Sequence, residues 1–396
     1  MTDQAPDVIK PSKPAPWNDP AVRSVVFQAV ALTAVVYFFY AIFDNTLTNM
    51  EKRGIVTGFD FLNNSSGFGI LMSLVEYDES HTYGRTFLVG LLNTVLVSFL
   101  GIILATVLGF VMGIARLSSN WIISKLAAIY IELFRNIPLL LQIFFWYFAV
   151  LQALPGPRQS IIWAESFFLN NRGLYVPAPV FEADAWVVLA ALIIAVIAVV
   201  VIVKWAHKRQ EATGQQFHTV YVSIGVLIGL PLAAYFVSGM PIGLDFPALK
   251  GFNFHGGGQI IPELMALLWA LSFYTASFIA EIVRAGILAV SHGQTEAAHA
   301  LGLRPAPTIR LVVIPQALRV IIPPLTSQYL NLAKNSSLAT AIGYPDLVAV
   351  FMGTTLNQTG QAVEIVAMTM AVYLTMSLSI SSLMNWYNKR KALVER

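Results

Sequence analysis

Few positions in this 396-residue sequence combine residue types and spacing that could support chemistry. There is no cysteine, so thiolate nucleophiles, disulfides and Cys-based metal sites are excluded. No GxxxxGK[ST], HExxH or nucleophile-elbow motif occurs either. His292 and His299 flank Glu296, but two histidines seven residues apart without a third ligand make a weak metal site. We therefore expect no enzymatic activity and no metal centre in this chain.

Two polar clusters in apolar surroundings are better candidates for a binding site. Their members are Arg135, Asn136, Gln142, Lys334, Asn335 and Ser336. An Arg or Lys at the centre of a membrane helix costs roughly 2.5 to 3.5 kcal/mol, so such groups usually face a cavity or a partner. Lys334 lies fifteen residues after Arg319, about 22 Å along a helix, where it could meet a substrate carboxylate. Structural roles remain open, for instance a pair between Arg135 and Glu132, or snorkelling to the interface.

The elements that must hold these residues are membrane-spanning helices. Hydrophobic residues make up 57% of the chain and charged residues 11%, against about 25% charged in a soluble domain. The mean hydropathy is +0.68. The net charge of +3 is small and the basic residues are scattered, which argues against nucleic-acid binding. The composition predicts an all-α membrane protein.

Long apolar runs predict about eight transmembrane helices, since a spanning helix needs about 20 apolar residues. The seven clear runs are Val25–Phe43, Phe87–Ile114, Ile137–Leu154, Trp186–Val203, Val220–Val237, Leu264–Ala280 and Ile365–Leu383. The third is expected to begin earlier, near Leu126. An eighth span is predicted from about Val320 to Ser337. The first run ends in Phe43, Asp44 and Asn45 rather than small residues, which indicates a retained anchor and not a removable signal peptide.

Lys and Arg placement predicts that both termini lie in the cytoplasm. With eight spans, 16 of the 24 basic residues fall in inside segments and six outside. The predicted division is a cytoplasmic tail (1–23), an N-terminal transmembrane helix (24–43), a periplasmic loop (44–85), a membrane domain (86–386) and a second cytoplasmic tail (387–396). The stretches 44–85 and 155–184 are rich in Gly, Asn, Ser or Pro, so irregular loops or short surface helices are expected there.

The most informative inside segment is 284–319. Gln294–Leu301 is a short, Ala-rich helical stretch that Gly302 can end, followed by a turn through Pro305 and Pro307. Such a helix is too short and polar to span a membrane. Its small side chains, with Glu296 at the rim, suit docking of a soluble partner, although an ordinary loop helix would also be Ala-rich.

This segment resembles the EAA loop of ABC-importer permeases. The matching residues are Glu296, Ala297, Ala298, Gly302, Val312, Ile314 and Pro315, with Val and Ile in place of the motif's Ile and Leu. GLLNTVL, ELFRNIPLLLQ, AEIVRAGI, IPQALR and KNSSL, spread over Gly90 to Trp386, are similar to polar amino-acid permeases. The extra N-terminal span and the insertion 155–259 resemble the Q permeases of general L-amino-acid (Aap or Bzt type) transporters.

The resemblance implies a MetI-like permease core with an extra N-terminal helix and an inserted helix pair. It also implies a second homologous permease in a heterodimer, two ATPase subunits that bind ATP and Mg, a periplasmic amino-acid-binding protein, and an L-amino acid as substrate, in a bacterial inner membrane. No cofactor is expected in this chain. The residues implied to couple to the ATPase are Glu296, Ala297, Ala298, His299, Leu301, Gly302 and Arg304.

The sequence gives less support to two other functional classes. An ion-coupled secondary transporter would be expected to show repeats or intramembrane carboxylates, but only Glu132 lies within a span, near its end. A membrane enzyme is the weaker alternative, because it has no supporting motif. Glu281 and Arg284, three residues apart at the end of a span, are expected to form a surface salt bridge rather than to contact substrate.

Overall fold

A computed structural model describes residue 17, residues 19–52, residue 54 and residues 57–391 of the chain. Most of the N-terminal tail and the last five residues of the C-terminal tail lie outside these ranges. The helices are α1 (Pro20–Lys52), α2 (Tyr83–Arg116), α3 (Trp121–Asn136), α4 (Leu139–Phe144), α5 (Ala185–Thr213), α6 (Thr219–Val237), α7 (Pro262–Leu288), α8 (His292–Ala300), α9 (Pro305–Thr308), α10 (Ile314–Asn335), α11 (Leu356–Thr359) and α12 (Ala362–Lys391). The strands are β1 (Ile161–Trp163), β2 (Phe167–Asn170), β3 (Gly173–Val176), β4 (Ala178–Phe181), β5 (Ile242–Asp245), β6 (Ala248–Lys250), β7 (Asn253–His255) and β8 (Gly258–Ile260).

The prediction of about eight membrane spans is confirmed. Seven helices are long and apolar enough to cross a membrane, and the bent pair α3–α4 makes an eighth candidate. The weakest predicted span belongs to a 38-residue helical stretch, Pro305–Ile342, in which α9 and α10 are joined by π-helical residues. α7 begins next to strand β8 and ends next to α8. We therefore call the end of the bundle near the strands the strand end, and the opposite end the α8 end.

α7 is the hub of the bundle and packs against α2, α3, α4 and α10. Glycines allow α2 to approach it closely. A Cβ added at Gly113 would lie 2.6 Å from the Ala280 carbonyl oxygen, and one at Gly109 would lie 2.5 Å from Cγ2 of Ile279. Since lipid supplies no hydrophobic force between helices, close packing of small residues is the main attraction available.

The third predicted span is broken rather than continuous. α3 and α4 meet at an angle of 106°, with Ile137 extended (ψ 126°) immediately before Pro138. Proline disfavours helical geometry in the residue before it, which ends α3. Gln142 Nε2 donates to the carbonyl oxygens of Phe134 and Ile137, both at 2.9 Å, and so satisfies groups that the break leaves without helical partners.

The first predicted loop begins later than expected, because α1 continues to Lys52. The residues after Phe43 include no glycine or proline before Gly54, whose φ is +66°. Thr46 also fits the helix, since its hydroxyl donates to the Ile42 carbonyl at 2.7 Å. α1 therefore ends two residues before Gly54, a residue type that adopts the left-handed conformation at little cost.

The stretch 155–184 was expected to form irregular loops or short surface helices, but it contains four strands instead. Together with four strands after α6, they make three small antiparallel sheets. β1, β2, β3 and β8 make a four-stranded sheet, and β4–β5 and β6–β7 make two-stranded ones. The sheets join the two sides of the inserted helix pair, with Leu174 opposite Ile260 and Phe181 opposite Ile242. α5 and α6 pack on each other, and no described residue of α6 is buried. Pro231 lies within α6.

Candidate coupling and substrate-path sites

α8 forms the short helix predicted from the Ala-rich stretch. It spans His292–Ala300, and Gly302 follows it with φ +78°, the left-handed geometry that ends helices. The proline turn predicted after it is wrong: Pro305 is the first residue of α9, which continues through a π-helical segment into α10. Proline is tolerated in the first helical turn because its missing N–H would have no partner there.

Most of the residues implied to couple lie on the surface of the bundle. Ala298 is the exception, buried at 4% exposure. The exposed members are Glu296, Ala297, His299, Leu301, Gly302 and Arg304. Leu301 is 83% exposed, and in sequence it lies between Glu296 and Arg304, which are also exposed. This arrangement suits a partner that supplies an apolar pocket with a polar rim.

The histidines of α8 serve local contacts. His292 Nδ1 lies 3.0 Å from Glu296 Oε1, and both side chains are well exposed, while His299 Nδ1 lies 3.1 Å from the Leu303 carbonyl oxygen. No group of three or more potential metal ligands occurs among the described residues. Both His292 and His299 are exposed, in agreement with their interpretation as surface residues.

α8 is tied by short connections to two spanning helices. Three residues separate it from α7, and four residues separate it from α9, which continues into α10. Gln294 and Gln316 side chains meet at 3.4 Å across this turn. At the end of α7, Arg284 Nε lies 3.1 Å from both carboxylate oxygens of Glu281, so the predicted salt bridge is present. Short connections therefore hold α8 between α7 and the helix that contains α9 and α10.

The break between α3 and α4 holds the first polar cluster. Arg135 and Asn136 are both exposed there. The Arg135 guanidinium lies 5.3 Å from the centre of the Phe278 ring, and no ion pair with Glu132 is found among the described residues. Gln142 is buried and bridges the break, so it supports the bend rather than facing an open path. Irregular backbone at membrane depth is tolerated where it is enclosed by protein or lines a cavity.

The second cluster lies at the end of α10. Lys334 is exposed and Asn335 half-buried, whereas Ser336 is fully buried and donates to the Ala333 carbonyl at 2.8 Å. Ser336 is therefore a capping residue and not part of an open surface. α4 contacts the 3₁₀ segment Ser336–Ile342 that continues α10. The fold thus brings α4, which carries Gln142, into contact with the segment that begins at Ser336, although the two lie about 190 residues apart in sequence.

Sequence reasoning missed a third polar group, in which α2 binds the segment after α10. Asn93 Nδ2 donates to the carbonyl oxygens of Met72 and Pro345, both at 2.9 Å, and the Leu347 N–H donates to Thr94 Oγ1 at 2.9 Å. Asn93 and Thr94 are fully buried. The available signal was two adjacent polar residues inside an otherwise apolar run.

Comparison with known proteins identifies the family. Residues 218–393 match the family "Binding-protein-dependent transport system inner membrane component". The putative amino-acid ABC transporter permease protein YhdX of Escherichia coli (strain K12) is 57% identical over 96% of this chain and 97% of its own.

Two further relatives cover nearly the whole chain. The general L-amino acid transport system permease protein AapQ of Rhizobium johnstonii is 53% identical over 96% of this chain and 94% of its own. The glutamate/glutamine/aspartate/asparagine transport system permease protein BztB of Rhodobacter capsulatus is 42% identical over 96% of each chain. This chain is therefore a multi-pass membrane protein that belongs to the family of amino-acid ABC transporter permeases, the inner-membrane components of binding-protein-dependent transport systems.

Proposed function

We propose that this permease imports L-amino acids across the bacterial inner membrane as half of a heterodimer with a second homologous permease. Two ATPase subunits bind ATP and Mg at the cytoplasmic face, and a periplasmic binding protein delivers the amino acid. Both termini and α8 lie on the cytoplasmic side in this arrangement, with the strands in the periplasm. The relatives named for general L-amino acids and for glutamate, glutamine, aspartate and asparagine support this substrate class.

The observation that carries the proposal is the exposed α8 held between two spanning helices. Only three residues connect α8 to α7 and four connect it to α9, so α8 can move little without moving these helices. A force applied to α8 is therefore transmitted to the centre of the bundle. An ATPase binds α8 through Glu296, Leu301 and Arg304. When the two ATPase subunits bind ATP and close, α8 moves with the subunit to which it is bound. The permeases then rock between inward-open and outward-open states, a rigid-body transition driven by nucleotide binding.

A charge reversal on α8 tests the proposal. Glu296 is 70% exposed, and its side-chain partner among the described residues is His292, so Glu296→Lys should leave the fold intact. Losing one partner of an interfacial charge pair costs roughly 2 to 5 kcal/mol, and we expect ATP-dependent uptake in proteoliposomes to fall at least tenfold. The ATPase should also be recovered less efficiently with the tagged permease.

Glu211→Lys is the matched control. Glu211 is an exposed carboxylate near the end of α5, at the same end of the bundle but on the inserted helix pair. We expect that variant to transport normally. Unchanged uptake by Glu296→Lys, at equal amounts of inserted protein, would show that the ATPase does not act through α8.

A further inference from the structure

A cavity lies between α1 and α12 at the strand end of the bundle. Its volume is about 200 Å³, and its apolar walls are formed by Phe39, Ile42, Phe43, Met50 and Val363. Among the described side chains of α1, Met50 alone is buried. The other four wall residues are 46% to 64% exposed, so the cavity is open on the side that faces away from the bundle. In a membrane, that side faces lipid.

The cavity matches one acyl chain in length. Along α1 it extends from Phe39 to Met50, which is about 16 Å of helix. The hydrocarbon of one leaflet is about 15 Å thick, half of the roughly 30 Å core of a bilayer. Met50 is the last residue of the apolar stretch of α1 that is long enough to span. A chain in this cavity would therefore run from headgroup level at Met50 to near the bilayer centre at Phe39.

A buried carboxylate lines the same cavity at headgroup level. Glu364 is the third residue of α12 and is 8% exposed. Its Oε1 accepts a hydrogen bond from the Gly58 N–H at 2.8 Å, whereas its Oε2 is shielded from water and has no hydrogen-bond partner in the part of the chain that the structure describes. The N-terminus of a helix favours a carboxylate anion, but a buried anionic oxygen without a donor is costly. A ligand with a positively charged N–H donor would satisfy it.

The end of α1 supplies a charge of the opposite sign. Lys52 is the last residue of α1, two residues after Met50, and its side chain is exposed. The apolar walls are thus followed by an anion on α12 and a cation on α1. This order is complementary to a zwitterionic phospholipid, in which an acyl chain is followed by a phosphate and then by an ammonium group.

We propose that this cavity binds a phospholipid whose headgroup carries a primary ammonium group, as in phosphatidylethanolamine. One acyl chain lies along α1 from Met50 to Phe39, and the phosphate faces Lys52. The ammonium group donates to the Glu364 carboxylate, which turns about its broad χ3 torsion to meet it. The lipid therefore holds α1, which buries little of its own surface, against α12. This inference does not depend on which solute the transporter carries.

Lipid titration of the complete transporter tests the proposal. The delipidated complex is titrated with dioleoyl phosphatidylethanolamine, phosphatidylcholine or phosphatidylglycerol, and the first bound lipid is measured by native mass spectrometry. Phosphatidylcholine has a cation without an N–H donor, and phosphatidylglycerol has no cation. A hydrogen bond between charged groups corresponds to about a tenfold to hundredfold stronger interaction, so we expect phosphatidylethanolamine to bind at least tenfold more tightly than either. Glycerophosphoethanolamine, the headgroup without acyl chains, should not compete.

Glu364→Gln identifies the group that recognises the headgroup. The change is nearly isosteric and keeps an oxygen to accept from the Gly58 N–H, but it removes the negative charge, so most of the preference for phosphatidylethanolamine should disappear. Glu182→Gln is the matched control, because Glu182 is an exposed carboxylate at the strand end, and this variant should keep the preference. A wild-type transporter without the preference, or a Glu364→Gln transporter that retains it, would overturn the proposal.

A bulky side chain tests where the acyl chain lies. Thr46 lines the cavity, so Thr46→Trp should fill it and weaken phosphatidylethanolamine binding at least about tenfold. Thr48→Trp is the control, since Thr48 is exposed and lies about 200° further round the axis of α1. Unchanged binding by an assembled Thr46→Trp transporter would place the lipid elsewhere and contradict the proposal. If Thr46→Trp fails to assemble with the ATPase, the nearly isosteric Glu364→Gln decides the result.

Discussion

The Tyr344 hydroxyl donates to the main-chain oxygen of Asn93 at 3.0 Å, joining two residues that are 251 positions apart. Both residues are fully buried. The same stretch of α2 approaches the segment after α10 so closely that a Cβ at Gly90 would lie 3.0 Å from Leu347 Cα. This contact fixes the strand end of α10 relative to α2.

Tyr344→Phe should weaken this contact without creating a cavity. The carbonyl of Asn93 would lose its side-chain donor, at a cost of about 1 kcal/mol in the free energy of unfolding. We expect the apparent Tm of the purified transporter to fall by roughly 2 to 4 °C. Tyr40→Phe is the control, because Tyr40 is 64% exposed on α1. Equal shifts for the two variants would show that the buried hydrogen bond contributes nothing measurable.

A single methyl group should disturb the helix contact at the hub. In Gly113→Ala the new Cβ meets a backbone oxygen of α7, which cannot move aside as a side chain could, so α2 must shift. Such overpacking costs about 1 to 3 kcal/mol. Gly225→Ala in α6 is a matched change, because no heavy atom lies within 4 Å of its added Cβ. We expect thermal denaturation to show a lower Tm for the first variant and an equal or higher Tm for the second.

Gln142→Leu should loosen the bend between α3 and α4. The change leaves the Phe134 and Ile137 carbonyl oxygens without their side-chain donor, which costs about 1 to 3 kcal/mol when such groups are buried. The expected result is a lower Tm, with uptake per assembled transporter also reduced if Arg135 loses its position. Gln210→Leu, at an exposed site on α5, controls for the loss of an amide. A Gln142→Leu protein with wild-type Tm would mean that other groups satisfy the break.

The sequence predicted the spans and α8 because each depends on local composition. An apolar run of 18 or more residues, or an Ala-rich stretch ended by Gly302, can be recognised without knowing its neighbours. Contacts between distant segments could not be predicted in this way. β3 pairs with β8 about 85 residues later, so neither strand had a visible partner. The 106° bend was also missed, because hydropathy measures how apolar a run is and not its direction.

In the candidate sites, too, the sequence identified the residues that are close in sequence and missed the effects of the three-dimensional structure. All residues implied in coupling lie in one continuous loop, so the motif identified them together. The second polar cluster lies where α10 continues as a 3₁₀ helix, so the number of residues per turn changes from 3.6 to 3.0 at Ser336. Ser336, which the sequence favoured as a path residue, is instead turned inward by that same change.

The proposed orientation can be measured directly. The chain has no cysteine, so every introduced thiol is unique. Gln215→Cys lies in the α5–α6 connection at the α8 end, and Lys250→Cys lies in β6 at the strand end; both positions are exposed. Positive residues are retained on the cytoplasmic side, and the segments predicted to lie inside, which include α8, hold 16 of the 24 basic residues. We therefore expect an impermeant thiol reagent to label Lys250→Cys in intact cells and Gln215→Cys only after lysis. The reverse pattern would place α8 outside the cytoplasm, where no ATP-driven subunit could act on it, and both the coupling and the transport proposals would have to be abandoned.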